Sequence, residues 1–354
     1  MNCVVSNLNN AGAGSLRDAV AQANATVNVP DTITFTTAGQ ITLTTGEIAV
    51  TDSLSINATP ANLLTINGNN ASRIFNTAAG LASMVFTVNH ATLAFGKANE
   101  GGAINIGDET VNLLDCSLIA NVALTEGGAI NVQGNGTLNL TRTTISGNTA
   151  ATDGGAIYWN TSGGGTILNS AIINNKATAG IGGGVYFFGT PNANGLTFRN
   201  TTISGNSSGS SGGGIVLTNL SGPVTIQNST ITANTAATGN GGGLARDSGT
   251  GAVTIESTIL SSNSATTGAD FSSTSGTFTI RQRKGQTKER GQQRKGVRLG
   301  FYVARLRKSY KPNLTPFLLP RRNLPMLVTV LPTRGDAGFP TTVIKKVSFE
   351  LVQQ

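Results

Sequence analysis

Two short phrases recur in step through the middle of this chain, and together they leave few folds open. The first is a glycine pair, a small residue and an apolar residue: Gly101-Gly102-Ala103-Ile104, Gly127 to Ile130, Gly154 to Ile157, Gly182 to Val185, Gly212 to Ile215 and Gly241 to Leu244. The second glycines are spaced by 26, 27, 28, 30 and 29 residues. Between them lies the second phrase: Leu118 to Asn121, Ile145-Ser-Gly-Asn148, Ile172 to Asn175, Ile203 to Asn206 and Ile231 to Asn234. A last copy starts at Ile259 and reaches Asn263 with one residue inserted. Landmarks that keep a common register over this many copies mark a solenoid, in which each copy contacts only its neighbours.

Within a copy, Ile130 and Val132, then Leu138 and Leu140, then Ile145 alternate with polar neighbours. Alternation of this kind over a few residues gives a strand with one buried face, and the Gly-Asn clusters between strands are turn chemistry. No segment between the landmarks has helical periodicity. That argues against a leucine-rich repeat, which has a similar period but a different signature. The calcium-binding nonapeptide repeat is absent, and a hexapeptide helix needs a shorter period. The fold expected is all-β, a right-handed parallel β-helix of the pectin-lyase-like kind. Ile104, Ile130, Ile157, Val185, Ile215 and Leu244 then form one inward column, and the Asn landmarks form a hydrogen-bonded ladder. The glycine pair permits φ > 0.

A solenoid needs capped ends. Ser15-Leu-Arg-Asp18 resembles a capping box with Asp in place of Glu, and Leu16, Ala19, Val20 and Ala23 share one helical face. This short helix is expected to cover the first coil. Strand-like pieces at Thr32–Phe35, Gln40–Thr44, Ser53–Asn57, Leu63–Asn67 and Met84–Val88 place further coils before the clear repeats. The division read from sequence is a cap over 1–30, a β-helix over 31–280 and a basic, non-repeating tail over 281–354.

Charge marks that last boundary. Residues 1–280 hold 7 Lys and Arg against 13 Asp and Glu, while residues 281–354 hold 17 against 3. All pattern is lost inside a coil at Ile280. Two readings stand: a shifted reading frame that leaves a disordered, protease-sensitive tail on a raw β-edge, or a genuine basic tail for nucleic acid or anionic membrane.

The leader GAGSLRDAVAQAN with PDTITF, then TINGNNASRIF and the repeated GGAI and ISGN phrases, resembles bacterial β-helix proteins of the polymorphic outer membrane protein type. The resemblance covers about residues 4–280. Its second motif is here mostly IxxN rather than FxxN, which keeps the buried apolar residue and the Asn. The resemblance implies export, secretion or display at the outer membrane, frequent adhesion and no general catalytic residue. MNCVV lacks the basic start and apolar core of a secretory signal, so export information is expected outside this chain. A monomer that contacts surface glycans or proteins is the expectation, with no cofactor and no nucleic-acid partner unless the tail is genuine.

Composition agrees with a solenoid. Charged residues are 11% and aromatics 5%, low for a compact enzyme, and Gly numbers 46. No apolar run approaches the ~18 residues of a membrane helix. Cys3 and Cys116 are expected as free thiols, with Cys116 in the slot that Thr143, Ser170, Thr201 and Ser229 fill in other copies. His90, the only histidine, reads as a polar strand residue.

A carbohydrate-active enzyme is the competing class, because parallel β-helices include lyases and hydrolases. Glu100, Glu126 and Asp153 each precede a glycine pair, and stacking puts neighbours ~5 Å apart. Such carboxylates can serve a retaining glycosidase or bind Ca²⁺; they can also be solvated turn residues, since later copies hold Ile181, Ser211 and Asn240. Tyr158 and Tyr186 occupy equal positions in consecutive copies and alternate with Trp159 and Phe187. Trp159 and Phe187 are expected inside. The tyrosines are expected outside, as an exposed stacked pair for a sugar or protein, or as a plain cross-strand contact. No residue is put forward as catalytic.

Overall fold

A computed structural model describes residues 1–59, 63–189 and 195–281, together with the backbone of two strands, Met326–Val330 and Val347–Leu351. The chain forms an all-β parallel solenoid of about 10 turns. One coil shows the plan. Ile130–Val132 belongs to sheet one, Thr137–Thr141 to sheet two, Thr144–Ser146 to sheet three and Thr149–Ala150 to sheet four, after which Ile157–Asn160 returns to sheet one a coil higher. Each strand pairs in parallel with its equivalents in the adjoining coils, as in Ile104↔Ile130 and Ile130↔Ile157. Sheet two is the longest, with thirteen strands, and sheet four the shortest, with six, among the described residues.

The inward column of sheet one runs Ile48, Phe75, Ile104, Ile130, Ile157, Val185, Ile215, Leu244 and Phe271 in register. All but Phe271 are buried. At ~25 cal/mol per Å² each such side chain contributes about 1.5–3 kcal/mol when fully buried, so stacking carries the fold.

The Asn landmarks build the expected ladder. In each rung the side-chain amide of Asn148, Asn175, Asn206 or Asn234 donates to the Oδ1 of the next Asn at 2.9 Å, and that same Oδ1 accepts the backbone N–H below it. At the top, Asp270 Oδ1 takes the place of a further Asn and accepts both donors of Asn263 at 3.0 Å. The last apolar–Asn phrase proves to need no insertion. Leu260, not Ile259, pairs with Ile231, so Leu260–Asn263 keeps the usual spacing and Ile259 points to solvent.

The glycine pair has two functions rather than the single one expected. Only the first glycine has φ > 0, from +57° at Gly101 to +68° at Gly182. The second needs its missing side chain: a Cβ on Gly128 would lie 2.1 Å from Gly155 O. Other corners turn through the left-handed region on ordinary residues. His90, Asp115, Arg142, Asn169, Asn200 and Asn228 stack at the corner between sheets two and three, with φ from +49° to +57°. His90 is therefore a turn residue, not a strand residue.

At the amino-terminal end the helix Leu16–Asn24 forms as expected, with Ser15 as N-cap accepting from Asp18 N–H at 3.2 Å and Leu16, Ala19, Val20 and Ala23 buried. Asn2–Val5, within the expected cap, is already the first strand of sheet two and pairs with Asp31–Phe35. At the other end, Met326–Val330 pairs antiparallel with Phe278–Arg281, and Val347–Leu351 pairs with it in turn. At sheet two, among the described residues, the expected raw edge is thus paired, its open N–H and C=O groups taking an extended strand. The rest of the expected tail lies outside the described residues.

Cys3 and Cys116 are free and buried. The Cys116 thiol contacts Val88 O and Leu114 O, and burial pushes its pKa up to about 11. A raised folded pKa means that the thiol contributes stability that is present below the unfolded pKa and lost as pH climbs from 9.0 toward about 11. Cys116 is expected to resist a disulfide reagent at pH 8 in the native protein and to react on unfolding in urea. Rapid native labelling would contradict this packing.

Arg246 departs from the apolar pattern of its column. It fills the inward slot that Leu217 holds one coil below, is 0% exposed, and donates to Gly249 O and Thr277 O. Its guanidinium lies 5.3 Å from the Phe278 ring.

Candidate ligand-facing surface

The acidic row and the tyrosine pair, separate features in the sequence, lie side by side on the outer face of sheet one. The corner before each glycine pair stacks by backbone hydrogen bonds. Gly101 N–H donates to Glu126 O, Gly127 N–H to Asp153 O and Gly154 N–H to Ile181 O, each at 3.0 Å. Glu100, Glu126 and Asp153 therefore occupy successive rungs, ~4.8 Å apart along the backbone. Next to this row runs the outward column of sheet one: Asn76, Asn105, Asn131, Tyr158, Tyr186, Val216 and Ala245 in register.

The corner folds over that column, and this changes the expected exposure. Tyr158 and Tyr186 do point away from the core while Trp159 and Phe187 point in, but the tyrosines are only 9% and 8% exposed. They form a small outer apolar cluster with Val216, Ala245 and Ile181, their ring centroids 5.3 Å apart and tilted by 40°. The cross-strand contact is the feature present, and no open aromatic platform for a sugar ring exists at this pair.

The acids are half-buried rather than fully solvated. Glu100 and Glu126 each reach the column residue one rung above. Glu100 Oε2 accepts from Asn131 Nδ2 and Gln133 Nε2, both at 3.0 Å, and Glu126 accepts from the Tyr158 hydroxyl. Asp153 Oδ1 accepts Ile181 N–H at 2.8 Å. Desolvation raises the pKa of Glu126, and the nearby charges of Asp153 and Glu100 add to the rise. Desolvation also raises Asp153. Among the described residues no three His, Cys, Asp or Glu side chains close on a common point.

A feature that sequence reasoning missed ends in this row. Asn131 Nδ2 donates to Asn105 Oδ1 at 2.7 Å, and Asn105 Nδ2 reaches toward Asn76 Oδ1 at 3.5 Å, a second amide ladder of opposite polarity to the main one. Its signal is an Asn directly after the inward apolar residue at Ile104, Ile130 and Phe75. His90 takes no part: its Nε2 lies 3.6 Å from Asp115, which also pairs with Arg142, at another corner.

The family profile described as right handed beta helix region matches residues 82–260, half of the chain. The chain belongs to that family. This right-handed β-helix has no match among curated proteins. Among solved structures it is similar to the A-module of mannuronan C-5 epimerase AlgE4 from Azotobacter vinelandii, with 13% identity over 78% of this chain and 92% of that one. The TM-score of 0.34 is too low for that similarity to bear on what this β-helix does.

Proposed function

We propose that the chain is an exported, surface-displayed β-helix of the polymorphic outer membrane protein type, a non-catalytic rod that offers its flank to glycans or proteins. One observation carries the reading: the repeated residues are used in stacking, and one outward column stays nearly constant from coil to coil. On sheet two a single outward column reads Thr32, Ser55, Thr87, Asn112, Asn139, Thr166, Thr197, Thr225, Thr254 and Thr279. A face that repeats every ~4.8 Å suits contact with an extended partner over many coils better than capture of one small molecule. Binding of the full chain to arrays of surface glycans and matrix proteins tests this, and the paired changes Thr166→Lys and Thr197→Lys are expected to weaken it. Binding that these changes leave intact would count against the flank.

A second reading, a carbohydrate-active enzyme, is favoured by the raised carboxyls of Glu126 and Asp153 on successive rungs, since a general acid needs an elevated pKa. Turnover of a polyuronate or xylan that is lost in Glu126→Gln would replace the rod with the enzyme.

A further inference from the structure

On the outer face of sheet two a second column lies two residues beyond the threonines, and its chemistry changes at every rung. It runs Leu168, Arg199, Gln227, Glu256 and Arg281 in register. Arg199, Gln227 and Glu256 line one cavity together with Asn228, which turns the next corner at φ +49°. The cavity measures about 160 Å³, comparable to the roughly 150 Å³ that takes one benzene ring in a protein interior. It opens to solvent, since Arg199 and Asn228 are both exposed. Its groups are sorted by polarity. Gln227 Nε2 donates to Glu256 Oε2 at 2.7 Å, which leaves Gln227 Oε1 as an acceptor. Glu256 has the cation Arg281 in register one rung above, on the side away from Arg199. Arg199 has no such match. Its neighbours in register are Leu168 and Gln227, neither of them charged, and its guanidinium makes no hydrogen bond or ion pair among the described residues. The Asn228 carboxamide is uncommitted in the same way.

An unpaired guanidinium presents N–H donors in a planar fork that matches a carboxylate. One and two rungs above it, at ~4.8 Å per rung, Gln227 and Glu256 offer acceptors for hydroxyl groups. We infer that this cavity binds an acidic sugar, with its carboxylate on Arg199 and Asn228 Nδ2 and its hydroxyls on Gln227 and Glu256. A neutral sugar leaves the cation unmatched. A dense polyanion meets the negative balance of residues 1–280, 7 basic against 13 acidic side chains, so a ring with a single carboxylate is the form that suits. The inference rests on the reading of a glycan-contacting flank and names the class of sugar. The same strands carry Thr197 and Thr225 of the threonine column, so a glycan held in the cavity continues along that flank. One charge-assisted contact at an exposed site gives weak binding, with Kd on the order of 1 mM.

Ligand-detected NMR titration of the full chain tests the site. The probes are sialyllactose and glucuronic acid, set against their neutral counterparts lactose and glucose, with acetate as a bare carboxylate. The acidic sugars are expected to bind, and the neutral ones to bind at least about tenfold more weakly. Arg199→Gln is expected to abolish that preference, Arg199→Lys to keep part of it, and Asn228→Asp to weaken the acidic sugars alone by repulsion. Arg142→Gln, further down the corner column and paired with Asp115, is expected to change nothing. All three positions are exposed, so an unchanged Tm confirms that each variant folds. Binding of one acidic sugar without the other sustains the site and identifies its source. A preference for acidic sugars that survives Arg199→Gln, or acetate bound as tightly as the sugars, overturns it. So does a parent chain that binds neither acidic sugar; binding of that chain to neutral glycans or matrix proteins, lost in the paired Thr166→Lys and Thr197→Lys changes, then still upholds the flank without this site.

Discussion

Replacing Asn175 with alanine is expected to lower the unfolding free energy by about 3–5 kcal/mol, as measured by urea titration. Asn175 sits in the middle of the buried ladder. Its Nδ2 donates to Ile145 O, Ile173 O and Asn206 Oδ1, and its Oδ1 accepts both the backbone N–H and the side-chain N–H of Asn148. Alanine removes every one of these partners at once and leaves backbone groups of two coils without a substitute in a region closed to water. Asn263, at the top of the ladder and 8% exposed, has solvent nearby. Asn263→Ala is therefore expected to cost clearly less. Equal effects at the two positions, or a loss under about 1 kcal/mol at Asn175, would mean that the ladder is not a continuous unit.

The second large effect is expected at Gly155, where Gly155→Ala should destabilise by about 4 kcal/mol or more and reduce the yield of folded protein. A Cβ there would lie 2.2 Å from Gly183 O, 2.5 Å from Lys176 C and 2.7 Å from Lys176 N. All three are backbone atoms of the adjoining coil, so no side chain can rotate out of the way, and the coils must separate. Gly147 is the control. It has φ +64°, and no atom lies within 4 Å of the place an added methyl would take. Gly147→Ala is therefore expected to cost only the left-handed backbone penalty, about 1–2 kcal/mol. If the two alanine variants unfold alike, close coil-to-coil approach is not what the second glycine serves.

These positions are legible in the sequence because a solenoid repeats its requirements. The Ile column, the Asn ladder and the Gly pair recur at fixed offsets, so the fold, the in-or-out sense of Tyr158 and Trp159, and the row formed by Glu100, Glu126 and Asp153 can be read directly. The burial of the tyrosines cannot. Strand alternation says which way a side chain points, not whether the preceding corner folds back over it. The outer amide ladder escapes notice for a related reason: Asn76, Asn105 and Asn131 follow the inward residue in only three copies, and Tyr158 then breaks the series. Arg246 breaks an apolar column in a single coil, where periodicity alone offers no means to foresee a buried cation held by Gly249 O and Thr277 O.

The central claim is that equivalent positions stack in register, one coil per step. Spin labels at Thr32 and Thr254, with Cys3 and Cys116 replaced by serine, measure it directly. The two threonines lie in one outward column of sheet two, eight coil steps apart. At ~4.8 Å per step the pulsed dipolar distance is expected to be narrow and centred near ~38 Å, and moving the upper label to Thr225 should shorten it by one step. A broad distribution, or a distance that does not fall with the removed coil, would contradict a single in-register β-helix.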